Sequence, residues 1–176
     1  MDQPVFQNEL IEPEWLPRSE EHNFTPLPIA YRNVILISAA LFLLFLVAGI
    51  VAFDVFLDTD HEFPLQWALM GWAVLVILII GRILIVFPYK GYAIRQLDIS
   101  YKKGWLWRSV TTIPFNRVQH CDIKQGLIER QFNLSNLNVY TAGGQNSDLT
   151  IPGLEFEMAE KYKAFILNTI SSDEEE

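Results

Sequence analysis

Residues 54–64 contain no lysine or arginine, although they join the two longest apolar runs of the chain. Asp54, Asp58, Asp60 and Glu62 are there instead. Cytoplasmic segments flanking membrane spans are rich in bases, so this absence excludes the connection from the cytoplasmic side. The chain has 1 cysteine, Cys121, which excludes an internal disulfide and any cysteine-cluster metal site. Its neighbour His120 does not make a ligand pair with it, because adjacent residues of a strand point to opposite faces. The 3 histidines, His22, His61 and His120, fall in three separate regions, so no two share a site. No Ser or Asp has a base at nucleophile spacing. Gly143-Gly144 is not followed by Lys-Ser or Lys-Thr, so there is no phosphate-cradling loop. Asp58, Asp60, His61 and Glu62 lack the glycine and the twelfth-position carboxylate of a calcium loop and read as a solvated acidic turn. No basic face is concentrated enough for nucleic acid. These absences point to a protein with no catalytic residues, no metal, no cofactor and no evident small-molecule substrate.

Two uninterrupted apolar runs are present. Residues 34–53 carry no charge and residues 65–87 carry only Arg82. Twenty helical residues rise about 30 Å, the thickness of a hydrocarbon core, so both runs read as transmembrane helices. Arg18 and Arg32 precede the first, and Lys90, Arg95, Lys102, Lys103 and Arg108 follow the second. This bias places both termini in the cytoplasm and the protein in the plasma (inner) membrane as a multi-pass chain. A cleaved signal peptide is not expected, since the first run starts too deep, is too long and lacks a small-residue cleavage site. Tyr31, Arg32, Phe87, Tyr89 and Lys90 mark the inner boundary, and Trp67 and Trp72 the outer end of the second span. Arg82 is close enough to the inner boundary to snorkel to the headgroups. A transport role would rest on Arg82 alone, and two spans enclose no pore.

The net charge of −8 is unevenly divided. Residues 1–33 sum to −4, the outer connection to −4, Arg82 adds +1, residues 89–172 sum to +3 and residues 173–176 to −4. The expected organisation is an acidic, proline-broken flexible arm at 1–30 and a two-span hairpin at 31–88. A cytoplasmic domain at 89–172 and an acidic tail at 173–176 follow. Pro4, Pro13, Pro17, Pro26 and Pro28 interrupt any helix in the arm. The acceptor-like Asn133-Leu134-Ser135 would face the cytoplasm and stay unglycosylated.

From residue 89 the periodicity falls to two, the mark of half-buried strands. Tyr92, Ile94 and Gln96 alternate with Ala93 and Arg95, and Leu97, Ile99 and Tyr101 with Asp98, Ser100 and Lys102. Gly104 punctuates a hairpin, residues 105–113 read as its return strand and Pro114 ends it. Residues 118–124 alternate again, residues 127–132 fit one or two helical turns, and further strands begin near Leu137 and Leu149. Met158, Ala159, Tyr162, Phe165, Ile166 and Ile170 recur at helical spacing, giving a final amphipathic helix. The fold class is α+β: a helical hairpin, then a small barrel or sandwich of six strands capped by that helix. Phe132 and Val139 are expected in its core.

The domain resembles the bacterial pleckstrin-homology-like domain of YdbS-like membrane proteins. The matching segments are YAIRQLDISYKKGWLWR (92–108), TIPFNRVQ (112–119), IKQGLIERQFNLSNLNVYTAGG (123–144) and TIPGL (150–154). Within them Ile113, Pro114, Arg117 and Gln119 stand at family positions, as do Gln125, Gly126, Arg130, Phe132, Val139, Thr141, Ala142 and Gly143. The resemblance covers about residues 30–170 and includes the two spans; the acidic arm departs from it. It implies two bent antiparallel sheets of seven strands closed by the C-terminal helix. It does not imply phosphoinositide binding, because a fold does not carry its relatives' ligands.

Two functions from different classes follow. The first is a non-enzymatic membrane-anchored adaptor that binds a protein partner or its own copies through strand edges and exposed aromatics. By resemblance the partner would be another membrane protein with such domains. The second is an inner-leaflet lipid reader using Lys102, Lys103, Trp105, Trp107 and Arg108. The adaptor is the preferred expectation from sequence.

Overall fold

The computed structural model of the protein describes residues 23–57, 65–142 and 148–173. Most of the acidic arm, the outer turn and Gly143 lie outside the described residues.

The two apolar runs form helices α1 (Ile29–Leu57) and α2 (Leu65–Val86). No residue of α2 is buried, and Phe45, Phe56, Ile77 and Leu78 lie bare along the pair. A helix apolar all round is a helix that meets lipid. The pair packs antiparallel: Ile35 lies across from Ile83 around one cavity, and Trp72 Nε1 donates to the Leu43 carbonyl at 3.1 Å. At 29 residues, α1 is about 44 Å long, more than a bilayer core needs. Its first turns therefore project beyond the span, and they join the β-domain.

The domain has two antiparallel sheets, of order β1-β2-β3-β4 and β5-β6-β7. The first contains β1 (Thr25–Pro26), β2 (Gly91–Ile94), β3 (Asp98–Lys103) and β4 (Ser109–Pro114). The second contains β5 (Val118–Lys124), β6 (Leu134–Thr141) and β7 (Leu149–Glu155). The short helix α3 (Leu127–Gln131) links β5 to β6, and α4 (Phe156–Asp173) closes the core. The six strands read from the sequence are all present. The seventh comes from ahead of the spans: Thr25 pairs with Tyr92 and Pro26 with Gly91. No periodicity announces a two-residue strand, so its residues read as arm.

Ile99, Leu137, Val139 and Ile151 are fully buried between the sheets, with Ala159 and Ile166 of α4 against them. Phe165 packs edge-on to Phe115 at 6.0 Å and Tyr162 edge-on to Tyr92 at 6.2 Å. Val139 is thus inside as expected, and Cys121 is buried while His120 points out. Phe132 is a correction. It ends α3 with 36% of its surface exposed, because the chain reverses there through Asn133 at φ 54° before entering β6. A second correction concerns residues 105–108, which belong to the turn and not to β4. Gly104 has φ 100°, and a Cβ there would overlap the Trp107 carbonyl, so the chain turns tightly at that point.

The domain is fastened to α1 by its own core. Leu27 and Phe87 are buried in the cluster, and Tyr31 and Ile35 pack against it. Gly153 makes this possible. It sits at φ 71° beside Pro152, where β6 and β7 slip register, and the Tyr31 ring occupies the space of its missing Cβ.

Candidate functional site

β3 delivers alternate side chains to opposite sides of its sheet, so neighbouring lysines part company. The Lys102 ammonium lies 5.5 Å from the centre of the Phe24 ring, a cation–π contact to the segment entering β1. Lys103 faces the other way, toward the domain end of α2. The tight turn after Gly104 then exposes Trp105 (49%), Leu106 (67%) and Trp107 (83%), with Arg108 also exposed. The five surface candidates therefore divide. Lys103, Trp105, Trp107 and Arg108 form one apolar and cationic tip, and Lys102 is committed to Phe24. Leu106 belongs to the tip and was hidden by reading 105–113 as a strand.

The tip stands beside the membrane spans. A cavity of about 520 Å³ is lined by Ile35, Arg82, Ile83, Val86, Lys90, Lys103 and Trp107, among others. Arg82 stands four residues before the end of α2, roughly 6 Å along its axis. Lys90 follows the single turn of 3₁₀ helix Phe87–Tyr89 and is half-buried. Burial pushes the Lys90 ammonium below its usual range, and the Arg82 and Lys103 charges push it further. Among the described residues no carboxylate pairs with any of the three cations. One turn of α1 before Ile35, Arg32 keeps its Nε buried without a hydrogen-bond partner among the described residues.

The family-motif positions serve several purposes. Gln125 donates from Nε2 to the Leu134 carbonyl at 2.8 Å, tying the end of β5 to β6. The Gly126 N–H donates to Glu129 Oε2 at 2.8 Å and opens α3. Arg130 is exposed on α3, and Pro114 ends β4 half-buried. Thr141 donates its N–H to Asp148 Oδ2 at 2.8 Å, closing the β6–β7 turn. Those contacts are architectural. Arg117 and Gln119 are exposed, Gln119 at the register slip between Val118 and His120. With Asn116, Thr141, Ala142 and Ile170 they border a groove of about 770 Å³.

The outer face of β5-β6-β7 carries a polar ladder. Asn138 donates to Asp122 at 2.7 Å, Tyr140 to Asp122 at 3.1 Å and Thr150 to Asn138 at 2.7 Å. Lys124 lies 3.5 Å from Asp122, and His120 stacks on Tyr140 at 4.2 Å. Burial pushes the Asp122 carboxyl up, but the hydrogen bonds of Asn138 and Tyr140 and the Lys124 charge outweigh it and hold it below the usual carboxylate range. Among the described residues no three His, Cys, Asp or Glu side chains gather as metal ligands.

Residues 34–171 match the family described as "Bacterial PH domain", a match that takes in most of α1, all of α2, strands β2 to β7 and most of α4. The chain belongs to the bacterial PH domain family. A curated relative, the UPF0699 transmembrane protein YdbS of Bacillus subtilis (strain 168), is 31% identical over 72 residues. That alignment covers 41% of this chain and 43% of the relative, less than half of each. No solved structure matches this chain. With two helices long and apolar enough to cross a bilayer, this bacterial PH domain protein is a YdbS-like membrane protein. Its α+β fold agrees with a pleckstrin-homology-like domain behind a helical hairpin.

Proposed function

We propose that this protein is a non-enzymatic module whose β-domain is held against the inner leaflet by its own spans, with the β3–β4 tip in contact with lipid. The carrying observation is the tip: Trp105, Leu106 and Trp107 stand exposed beside the domain end of α2, flanked by Lys103 and Arg108. Three large apolar side chains on one short turn are costly in water and favourable at a headgroup boundary, where aromatic and basic residues are enriched. The positive-inside pattern supports the cytoplasmic leaflet and cytoplasmic termini. A cysteine replacing Thr59 should then react with an impermeant thiol reagent in whole cells.

The tip is tested on the full chain in lipid nanodiscs, because Leu27, Tyr31 and Ile35 are part of the domain's packing and an isolated 89–172 fragment would lose them. Lipids brominated near the headgroup should quench an emission component that Trp105→Phe with Trp107→Phe removes. If that component is not quenched, the tip does not meet lipid.

The adaptor reading keeps one specific support. Arg117, Gln119 and Thr141, three of the positions that carry the sequence resemblance, meet at one surface groove. A protein partner, another PH-like membrane protein or a second copy, would seat there. A photocrosslinker at Gln119 in intact membranes should capture it, and an absence of adducts sinks this second reading.

A further inference from the structure

We infer that the junction between the spans and the β-domain is a binding site for one anionic phospholipid, with Arg82, Lys90 and Lys103 around its phosphate and its acyl chain along Ile83 and Val86. The inference rests on the reading that the β3–β4 tip meets the inner leaflet, and it adds a selective ligand to that contact.

Three observations lead to it. First, cations from three separate elements meet in one cavity: Arg82 from α2, Lys90 from the connection into β2, and Lys103 from the end of β3. Like charges brought together around half-buried Lys90, without a carboxylate among the described residues, leave a need for an anion. The depression of the Lys90 ammonium by burial and by its two cationic neighbours agrees with that need. Second, the walls are amphipathic in the sense a phospholipid requires. Ile83 and Val86, both half-buried, line the cavity with Ile35 as its apolar half, and Trp107 borders it from the tip. A soluble phosphate would gain nothing from these walls, whereas a lipid fills both halves. Third, the depth is right, since Arg82 lies roughly 6 Å inside the end of α2, within snorkelling reach of the headgroups. At about 520 Å³ the cavity takes a headgroup and the first part of a chain.

The site is tested with the full chain in detergent micelles supplied with phosphatidylglycerol, with phosphatidylcholine, or with inorganic phosphate. Bound lipid is counted by native mass spectrometry. Phosphatidylglycerol should be retained over phosphatidylcholine. Arg82→Gln, Lys90→Gln and Lys103→Gln should each lower that preference by about fivefold, the worth of one cation at an anionic surface. Arg82→Lys, which keeps the charge, should retain most of it and guards against mistaking misfolding for lost binding. Equal retention of the two lipids overturns the site. So does an undiminished preference in the triple Gln variant, or inorganic phosphate displacing phosphatidylglycerol at a comparable concentration. The tip contact is judged separately. If Trp105 is still quenched by brominated phosphatidylcholine while selectivity is absent, the site fails and the membrane-facing tip stands. If quenching is also absent, both fall.

Discussion

The two sheets of the domain deal with their surroundings in opposite ways. The outer face of β5-β6-β7 satisfies itself: Asp122, Asn138, Tyr140 and Thr150 exchange hydrogen bonds across three strands. The β3–β4 end of the other sheet leaves bare indole and leucine surface and gathers cations that no carboxylate among the described residues pairs. A self-contained polar face is at home in water and fixes strand register. An apolar tip with cations behind it is at home only where water ends. The difference is what the proposed orientation rests on, with the ladder toward water and the tip toward lipid.

The comparison is broken most severely through the core that both sheets share. Leu137→Ala should cost about 2–5 kcal/mol, because Leu137 is fully buried between them. Phe132→Ala, at a residue 36% exposed, should cost about 1–2 kcal/mol. Cys121 supplies the readout. Its thiol is buried, and burial pushes its pKa up to about 11, so at neutral pH it should resist maleimide until the domain opens. Labelling rates of the two variants in nanodiscs, measured against denaturant, should rank them in that order.

Gly153→Ala should rank next. A side chain at φ 71° costs about 1–2 kcal/mol, and the new methyl group must also displace Tyr31. Adding Tyr31→Ala should relieve the collision without removing the backbone strain. An unchanged stability of Tyr31→Ala alone would show that the ring does not fasten the domain to α1.

The ladder has a pH signature. The folded Asp122 carboxyl titrates below its unfolded value of about 3.9, so its contribution is present above that value and is lost as pH falls through the folded pKa. Asp122→Asn should flatten the acid limb of stability, read by circular dichroism in nanodiscs below pH about 4. A limb of unchanged steepness would remove Asp122 from the account.

The smallest stability effect belongs to the tip. Trp105→Ser with Trp107→Ser should change domain stability by no more than about 0.5 kcal/mol, since neither ring is packed inside. The quenching by lipid should nevertheless disappear. A large loss of stability would mean that the rings support the fold.

The spans were legible because the bilayer demands length and apolarity from consecutive residues. The six strands and α4 were legible because periods of two and of helical spacing are written locally. Three features were not. β1 has only two residues and takes its identity from Tyr92 and Gly91, far along the chain. The Trp105–Leu106–Trp107 turn looks like a strand by composition, and only the closure of Gly104 onto the Trp107 carbonyl makes it a tip. Phe132 looks like core by residue type, but it stands where α3 stops.

The candidate site divides in the same way. Sequence alone supplied its inventory: a membrane hairpin, a small PH-like β-domain, and aromatic and basic residues just after the second span. Only the tertiary structure separated Lys102, held at Phe24, from Lys103, and brought Lys103 to Arg82 and Lys90. Local pattern dictates which face of its own element a residue occupies. Which faces meet is decided by the packing of the whole chain, here by Tyr31 settling into the space that Gly153 leaves open.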